Sequence, residues 1–130
     1  MGKRPEELER DRWLSSVGSL PGMLVHRCEP MRNAYGVRSL PDGFPDVLIV
    51  AEGRVELVEW KSATGGLKPS QVVYHGSALE AGYTVLIARD AGQCCRDLAA
   101  RFGGGTAERL LKCAEELDAG KKIGLARKTS

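Results

Sequence analysis

The stretch GFPDVLIVAEGRVELVEWKSA, residues 43–63, decides the fold of this chain. It contains two short apolar runs separated by a glycine-containing turn, which predicts an antiparallel β-hairpin. Asp46 begins the first run, and Glu59 and Lys61 end the second. Burying a charged group in a sheet is expensive unless it is paired. The placement of two carboxylates and an amine on these strands therefore calls for a chemical reason.

Strand alternation places the charged residues of the second strand on one face. Residues 55, 57, 59 and 61 share a face that begins apolar and ends charged, and residues 56, 58 and 60 take the other face. Because the turn is short, the beginning of the first strand lies beside the end of the second. Asp46, Glu59 and Lys61 are therefore predicted to meet at one edge of the sheet.

Two carboxylates beside one amine suit a hard divalent cation. Mg²⁺ takes a few carboxylate oxygens, retains waters and suits phosphate substrates. Lys61 would orient or deprotonate the attacking water, or stabilise the transition state. In the competing interpretation, Glu59 and Lys61 form a surface pair on an edge strand and Asp46 merely follows a proline turn. The combination of PD, twelve intervening residues and EWK favours the cation site.

The remaining segments predict a small α/β domain over residues 1–119. A chain of 130 residues with 28% charged residues and a net charge of +2 fits one soluble domain. Helices are predicted over residues 5–16, 69–81, 90–103 and 106–120, and further strands over residues 22–27 and 83–88. The strand, helix and strand over residues 54–88 predict a right-handed crossover and a parallel pair.

The sequence also predicts which parts of the chain are buried and which are exposed. Leu8, Trp13 and Val17 are expected to form the core face of the first helix. The run YTVLIA is typical of a strand buried on both faces. Residues 120–130 are basic without an acid and are expected to form a flexible tail.

Composition also narrows the class of protein. The first twelve residues are polar, so no signal peptide is predicted, and a cytoplasmic protein is expected. The four cysteines form no CxxC pair, so zinc is not expected. We interpret them as reduced thiols that act as small buried hydrophobic residues.

The motif GFPD…EWK resembles the PD-(D/E)XK nuclease signature. More narrowly, GFPDVLIV, GRVELVEWKSATGGLKPSQ and ALEAGYTVLIARDA are similar to the VRR-NUC domain in the stand-alone form carried by phages and bacteria, over residues 43–91. The resemblance implies a restriction-endonuclease-like fold, in which a small mixed β-sheet is flanked by helices. It also implies hydrolysis of phosphodiester bonds that depends on Mg²⁺ or Mn²⁺.

The resemblance assigns roles to particular residues. Asp46 and Glu59 would bind the metal through their carboxylates, and Trp60 would bind it through its backbone carbonyl. Lys61 would serve the attacking water. Gln71 matches the family's glutamine in the first turn of the following helix.

Other assignments are less direct. The family often uses an acid from its first helix, for which Glu9 is the candidate, with Glu6 and Glu7 left open. Candidate contacts to DNA phosphates are Arg32, Arg38, Lys68 and His75. The three basic residues could equally be solvated loop charges, and His75 a partly buried structural histidine.

The leading hypothesis is a metal-dependent DNA endonuclease selective for branched or junction DNA. Stand-alone domains of this family resemble Holliday-junction resolvases, which implies a homodimer and a role in DNA repair or recombination. Alternatives are a nicking or flap-type nuclease in phage replication or packaging, and a non-catalytic DNA-binding module that retains the fold. The intact set of Asp46, Glu59 and Lys61 disfavours the last, because folding does not require these charges.

Overall fold

The computed structural model describes residues 4–28 and 40–129, with side chains up to residue 120. These residues form an α/β fold in which helices flank a small mixed sheet, as predicted. In chain order the elements are α1 (Pro5–Val17), β1 (Leu24–Arg27), β2 (Val47–Ala51), β3 (Arg54–Trp60), α2 (Pro69–Glu80), β4 (Leu86–Ala88), α3 (Ala91–Phe102) and α4 (Gly104–Thr129). No helix in this described part is long and apolar enough to cross a membrane.

The sheet has the strand order β1-β2-β3-β4. Strand β2 pairs antiparallel with β1 and with β3, and the register places Val47 opposite Val58. Strand β4 follows α2 and pairs parallel with β3, with Glu59 opposite Ile87. The predicted hairpin and the predicted parallel pair are both confirmed.

The hairpin turns at Glu52 and Gly53, which both have positive φ, 52° and 69°. Such left-handed turns match the right-handed twist of the strands they join. Glu52 Oε1 accepts hydrogen bonds from Thr106 Oγ1 at 2.7 Å and from the Thr106 N–H at 3.3 Å. Thr106 therefore attaches α4 to the hairpin tip, and the helix begins two residues earlier than predicted, at Gly104.

The core lies between one face of the sheet and helices α1, α3 and α4. Trp13 and Trp60 pack with ring centroids 5.4 Å apart, and Val17 is fully buried beside them. The prediction that Leu8 joins this face is wrong, because its side chain is 56% exposed. Leu8 precedes Val17 by nine residues, and at 3.6 residues per turn it lies half a turn out of phase.

The opposite face of the sheet is partly open. Ile87 is 38% exposed, and Leu24 and Val55 on the same face are exposed as well. The prediction that the last strand is buried on both faces is therefore wrong. Helix α3 covers the core side of β4 only, and a continuous apolar run does not reveal how many faces are covered.

The end of α4 also differs from its prediction. The helix does not end at Gly120 but continues to Thr129, so the backbone expected to form a flexible tail is helical. A glycine inside a helix costs only about 1 kcal/mol relative to alanine, which its neighbours can offset. Three of the free cysteines, Cys94, Cys95 and Cys113, are buried in the core as predicted, but Cys28 is only half-buried and the prediction is wrong for it. Burial raises the pKa of Cys95 to about 12.

Gly43 lies where the chain passes close to α2 before it enters β2. Its φ is +82°, and a Cβ there would overlap the carbonyl oxygen of Ser70 in the first turn of α2. Gly53 is a matched control, because its φ is +69° and a Cβ would meet no atom within 4 Å. We expect Gly53→Ala to lose about 1–2 kcal/mol of unfolding free energy through backbone strain alone.

Gly43→Ala should lose clearly more, because the clash adds to the strain. Urea unfolding of the two variants against the wild type measures the difference. Equal losses would show that the close approach of Gly43 to α2 does not hold the fold together.

Candidate active site

A small polar cavity opens at the end of the sheet where β2 begins and β3 ends. Its volume is about 150 Å³. The residues that line it are Asp46, Glu59, Trp60, Lys61, Lys68 and Gln71, together with Arg4, Glu6, Glu7 and Arg10 from the start of α1. The structure thus brings together the predicted carboxylates, lysine and glutamine.

Asp46 is held in place by the hairpin itself. Its Oδ2 accepts a hydrogen bond from the Trp60 N–H at 2.7 Å. Its backbone carbonyl accepts another from the Cys28 N–H at 2.7 Å, which continues the pairing of β1 with β2. The Trp60 N–H on β3 therefore orients the carboxylate, and the Cys28 N–H fixes the backbone that carries it.

Glu59 is the most deeply buried carboxylate of the cavity, with 1% of its surface exposed. Its Oε1 is buried without a hydrogen-bond partner among the described residues. Burial, a hydrogen bond with Asp46 and the charge of Asp46 raise the pKa of Glu59 to about 9, against smaller opposing effects of Lys61 and Lys68. In the protein alone Glu59 therefore keeps a proton at neutral pH.

Lys61 is 9% exposed, and its ammonium group is positioned by α2. Lys61 Nζ donates to Gln71 Oε1 at 2.5 Å, and the Lys68 N–H donates to the same oxygen at 2.8 Å. Gln71 therefore caps the start of α2 and holds the lysine at the cavity. The exposed side chain of Lys68 lines the same cavity.

The donor set fits a hard divalent cation that keeps most of its waters. The described residues hold no group of three or more His, Cys, Asp or Glu side chains suited to a metal. Mg²⁺ commonly binds through one or two carboxylates, however, and the unpartnered Glu59 Oε1 is the kind of orphaned oxygen that such a cation would satisfy. The Trp60 ring packs against Trp13, so its backbone carbonyl is the atom it can offer.

The other predicted residues lie elsewhere. Glu9 does not line the cavity, because its Oε2 accepts from the Ala91 N–H at 2.9 Å at the start of α3. Its Oε1 pairs with Arg12 Nε at 3.2 Å. His75 is half-buried, with Nε2 buried and unpartnered among the described residues, and burial and the charge of Lys61 lower its pKa. Arg32 and Arg38 lie outside the described residues.

The sequence predicted an acid from α1 and left Glu6 and Glu7 open, but it did not single out Arg10. Glu6 and Arg10 lie one turn apart and share a stripe with the buried Trp13 and Val17, at spacings of four, three and four. The sequence contained the information needed to find this stripe, because Trp13 and Val17 were both predicted to face the core and lie on the same side of the helix. The choice of Leu8 as a core residue obscured it.

We compared the chain with known protein families and with curated proteins. No protein-family model matches the chain, and no curated protein matches it. The resemblance to the VRR-NUC domain therefore stays a prediction from the motif.

The shifted pKa of Glu59 predicts how stability depends on pH. Between pH 4.5 and about 9 the folded chain binds a proton on Glu59 that the unfolded chain has released. The contribution of Glu59 to the free energy of unfolding is therefore fully present below pH 4.5 and is lost as the pH rises toward 9. In EDTA, the free energy of unfolding should fall between pH 5 and pH 9, and Glu59→Gln should flatten that decline.

Glu108→Gln is the matched control, because Glu108 is an exposed carboxylate that does not line the cavity. Urea unfolding at a series of pH values measures all three proteins. If Glu59→Gln follows the wild-type profile as closely as Glu108→Gln does, Glu59 does not hold a proton in the folded state.

Proposed function

We propose that this protein is a metal-dependent endonuclease that hydrolyses phosphodiester bonds in DNA. The observation that supports this most directly is the buried, unpartnered Oε1 of Glu59 beside Asp46. Lys61 lies at the same end of the sheet, held by Gln71. Folding alone gives no reason to leave one oxygen of a buried carboxyl group without a partner among the described residues, whereas a cation and a phosphate would use all these groups.

The reaction adds water across one P–O ester bond. The water oxygen forms a bond to phosphorus, the ester P–O bond breaks, and a phosphate monoester and a hydroxyl end result. The water releases a proton and the leaving oxygen takes one up. A bound Mg²⁺ or Mn²⁺ would supply Lewis-acid activation of the phosphate and of the attacking water. Lys61 would orient that water or donate to the phosphoryl oxygens as charge develops.

The surroundings of the cavity favour a phosphate of a polymer over a small free substrate. A volume of about 150 Å³ holds roughly five waters at ~30 Å³ each, which suits a partly hydrated cation with the phosphate at the mouth of the cavity. Helices α1 and α2 both begin beside the cavity, and helix N-termini favour anions. Lys68 and Arg4 add positive charge at the rim, so the rest of the nucleic acid would lie outside on the surface.

We extend the proposal to branched or junction DNA and to a homodimer, as the motif resemblance implies. Two sites related by a twofold axis would cut two symmetric strands of a four-way junction. A nicking or flap-type nuclease and a non-catalytic DNA-binding module are the alternatives, and the substrate panel below separates them.

The test is digestion of labelled duplex, flap, splayed, single-stranded and four-way DNAs with Mg²⁺ or Mn²⁺. We expect the wild type to cut, with paired symmetric nicks on the four-way junction. Lys61→Met keeps the buried aliphatic stem and removes the amine, so it should lower the cleavage rate by at least about 100-fold, the lower end of what general acid–base catalysis contributes. Its fold and its affinity for uncut DNA should change little.

The control is Lys112→Met, which removes an exposed amine of α4 that does not line the cavity. Cutting of flaps or nicking of intact duplex would support the nicking or flap-type nuclease in place of the resolvase. Wild-type protein that binds these DNAs but leaves all of them uncut with both metals would overturn the nuclease proposal in favour of the binding module.

A further inference from the structure

We propose that Arg10 binds the phosphate that is cut, from the α1 side of the cavity. The inference rests on the proposed function, because it assigns a substrate contact within the same site. Arg10 lines the cavity with Asp46 and Glu59, and its side chain is only 16% exposed. Glu6, one helical turn earlier, lines the same wall.

One donor of the Arg10 guanidinium, Nε, is buried without the hydrogen bond that burial normally requires. This nitrogen is inaccessible to solvent and has no hydrogen-bond partner among the described residues. The ion pair that the structure gives it, to Asp11 Oδ1, has an N–O distance of 3.6 Å, which is too long for a hydrogen bond. A buried donor without a hydrogen bond destabilises the protein, so a ligand that accepts a hydrogen bond from it would be bound favourably.

Arg12 provides the contrast on the same helix. Its Nε is likewise buried without a hydrogen bond among the described residues, but it lies 3.2 Å from Glu9 Oε1, and its Nη2 donates to the Leu117 carbonyl at 3.2 Å. Arg12 therefore joins α1 to α4 and contributes to the fold. Arg10 makes no such tertiary hydrogen bond in the described part of the chain, although it lies deeper than Arg12.

The chemistry of the cavity identifies a phosphate as the missing partner. The planar guanidinium donates two parallel hydrogen bonds to phosphate oxygens, which a lysine ammonium cannot reproduce. A cation on Asp46 and Glu59 would draw the phosphate to the end of β3, and Lys61 would meet it from the sheet. Arg10 reaches the same cavity from α1, so the phosphate would be contacted from two separate elements.

The experiment compares Arg10→Gln and Arg10→Lys with Arg109→Gln. Arg109 is an exposed arginine of α4 that does not line this cavity, so it controls for loss of one positive charge. Binding is measured in Ca²⁺ to a DNA that the wild type cuts, and to the same DNA with a neutral methylphosphonate at the mapped scissile position. Thermal unfolding of each variant is recorded in parallel.

We expect Arg10→Gln to weaken binding of the natural DNA by roughly 10-fold or more, in line with a charge-assisted hydrogen-bonded pair. Arg10→Lys should recover part of the loss, and Arg109→Gln should bind like the wild type. On the methylphosphonate DNA, Arg10→Gln and the wild type should bind nearly alike, because the negative charge and one of the two oxygens that Arg10 would contact are absent. If the role of Arg10 were purely structural, Arg10→Gln would instead weaken the binding of both DNAs equally.

Each result decides one question. If the wild type cuts DNA and Arg10→Gln binds both DNAs as tightly as the wild type, or weakens both equally, the assignment of Arg10 is overturned and the nuclease proposal stands. If Arg10→Gln does not fold, the decision passes to Arg10→Lys, which must then show the same dependence on the scissile phosphate. A wild type that cuts nothing overturns the nuclease proposal itself.

Discussion

The antiparallel pairing of β2 with β3 is the constraint on which both the core and the cavity depend. Through this pairing the Trp60 N–H meets the Asp46 carboxylate, and Asp46 comes to lie beside Glu59. The next side chain along the strand, Trp60, points to the opposite face and packs on Trp13. At the end of β3, Trp60 therefore packs in the core, while Glu59 and Lys61 on either side of it line the cavity. A shift in the register of β3 would disrupt the core and the cavity together.

Strand β3 carries two buried glutamates, and their surroundings separate a structural role from a functional one. Glu56 Oε2 accepts hydrogen bonds from the Tyr83 hydroxyl at 2.8 Å and from Arg101 Nη1 at 2.9 Å, so its buried charge is compensated within the fold. Glu59 instead has a neighbouring carboxylate and one oxygen without a partner among the described residues. Two carboxylates this close cannot both ionise easily without a cation. The fold therefore compensates the charge of Glu56 and does not compensate that of Glu59 in the same way.

Much of this arrangement was predictable from residues 43–63, because period-two alternation and a short turn place Asp46, Glu59 and Lys61 together whatever the remaining chain does. The contributions from α1 were harder to predict. Choosing between Glu6, Glu7 and Glu9 required knowing which stripe faces inward, and Glu9 is drawn away by the start of α3, a contact 82 residues distant along the chain. The open face over Ile87 and the continuation of α4 past Gly120 likewise depend on which neighbours are present, and local propensity does not report that.

The most direct test of the account is the binding of Mn²⁺ to the protein without DNA, followed at neutral pH by the electron paramagnetic resonance signal of the free ion. Wild-type protein should bind Mn²⁺ and release a proton as it does so, since the cation replaces the proton that Glu59 holds. Glu59→Gln, verified as folded, should lose this binding, while the exposed-carboxylate variant Glu108→Gln should keep it. Equal Mn²⁺ binding by wild type and Glu59→Gln would contradict the claim that this buried carboxylate is a cation ligand.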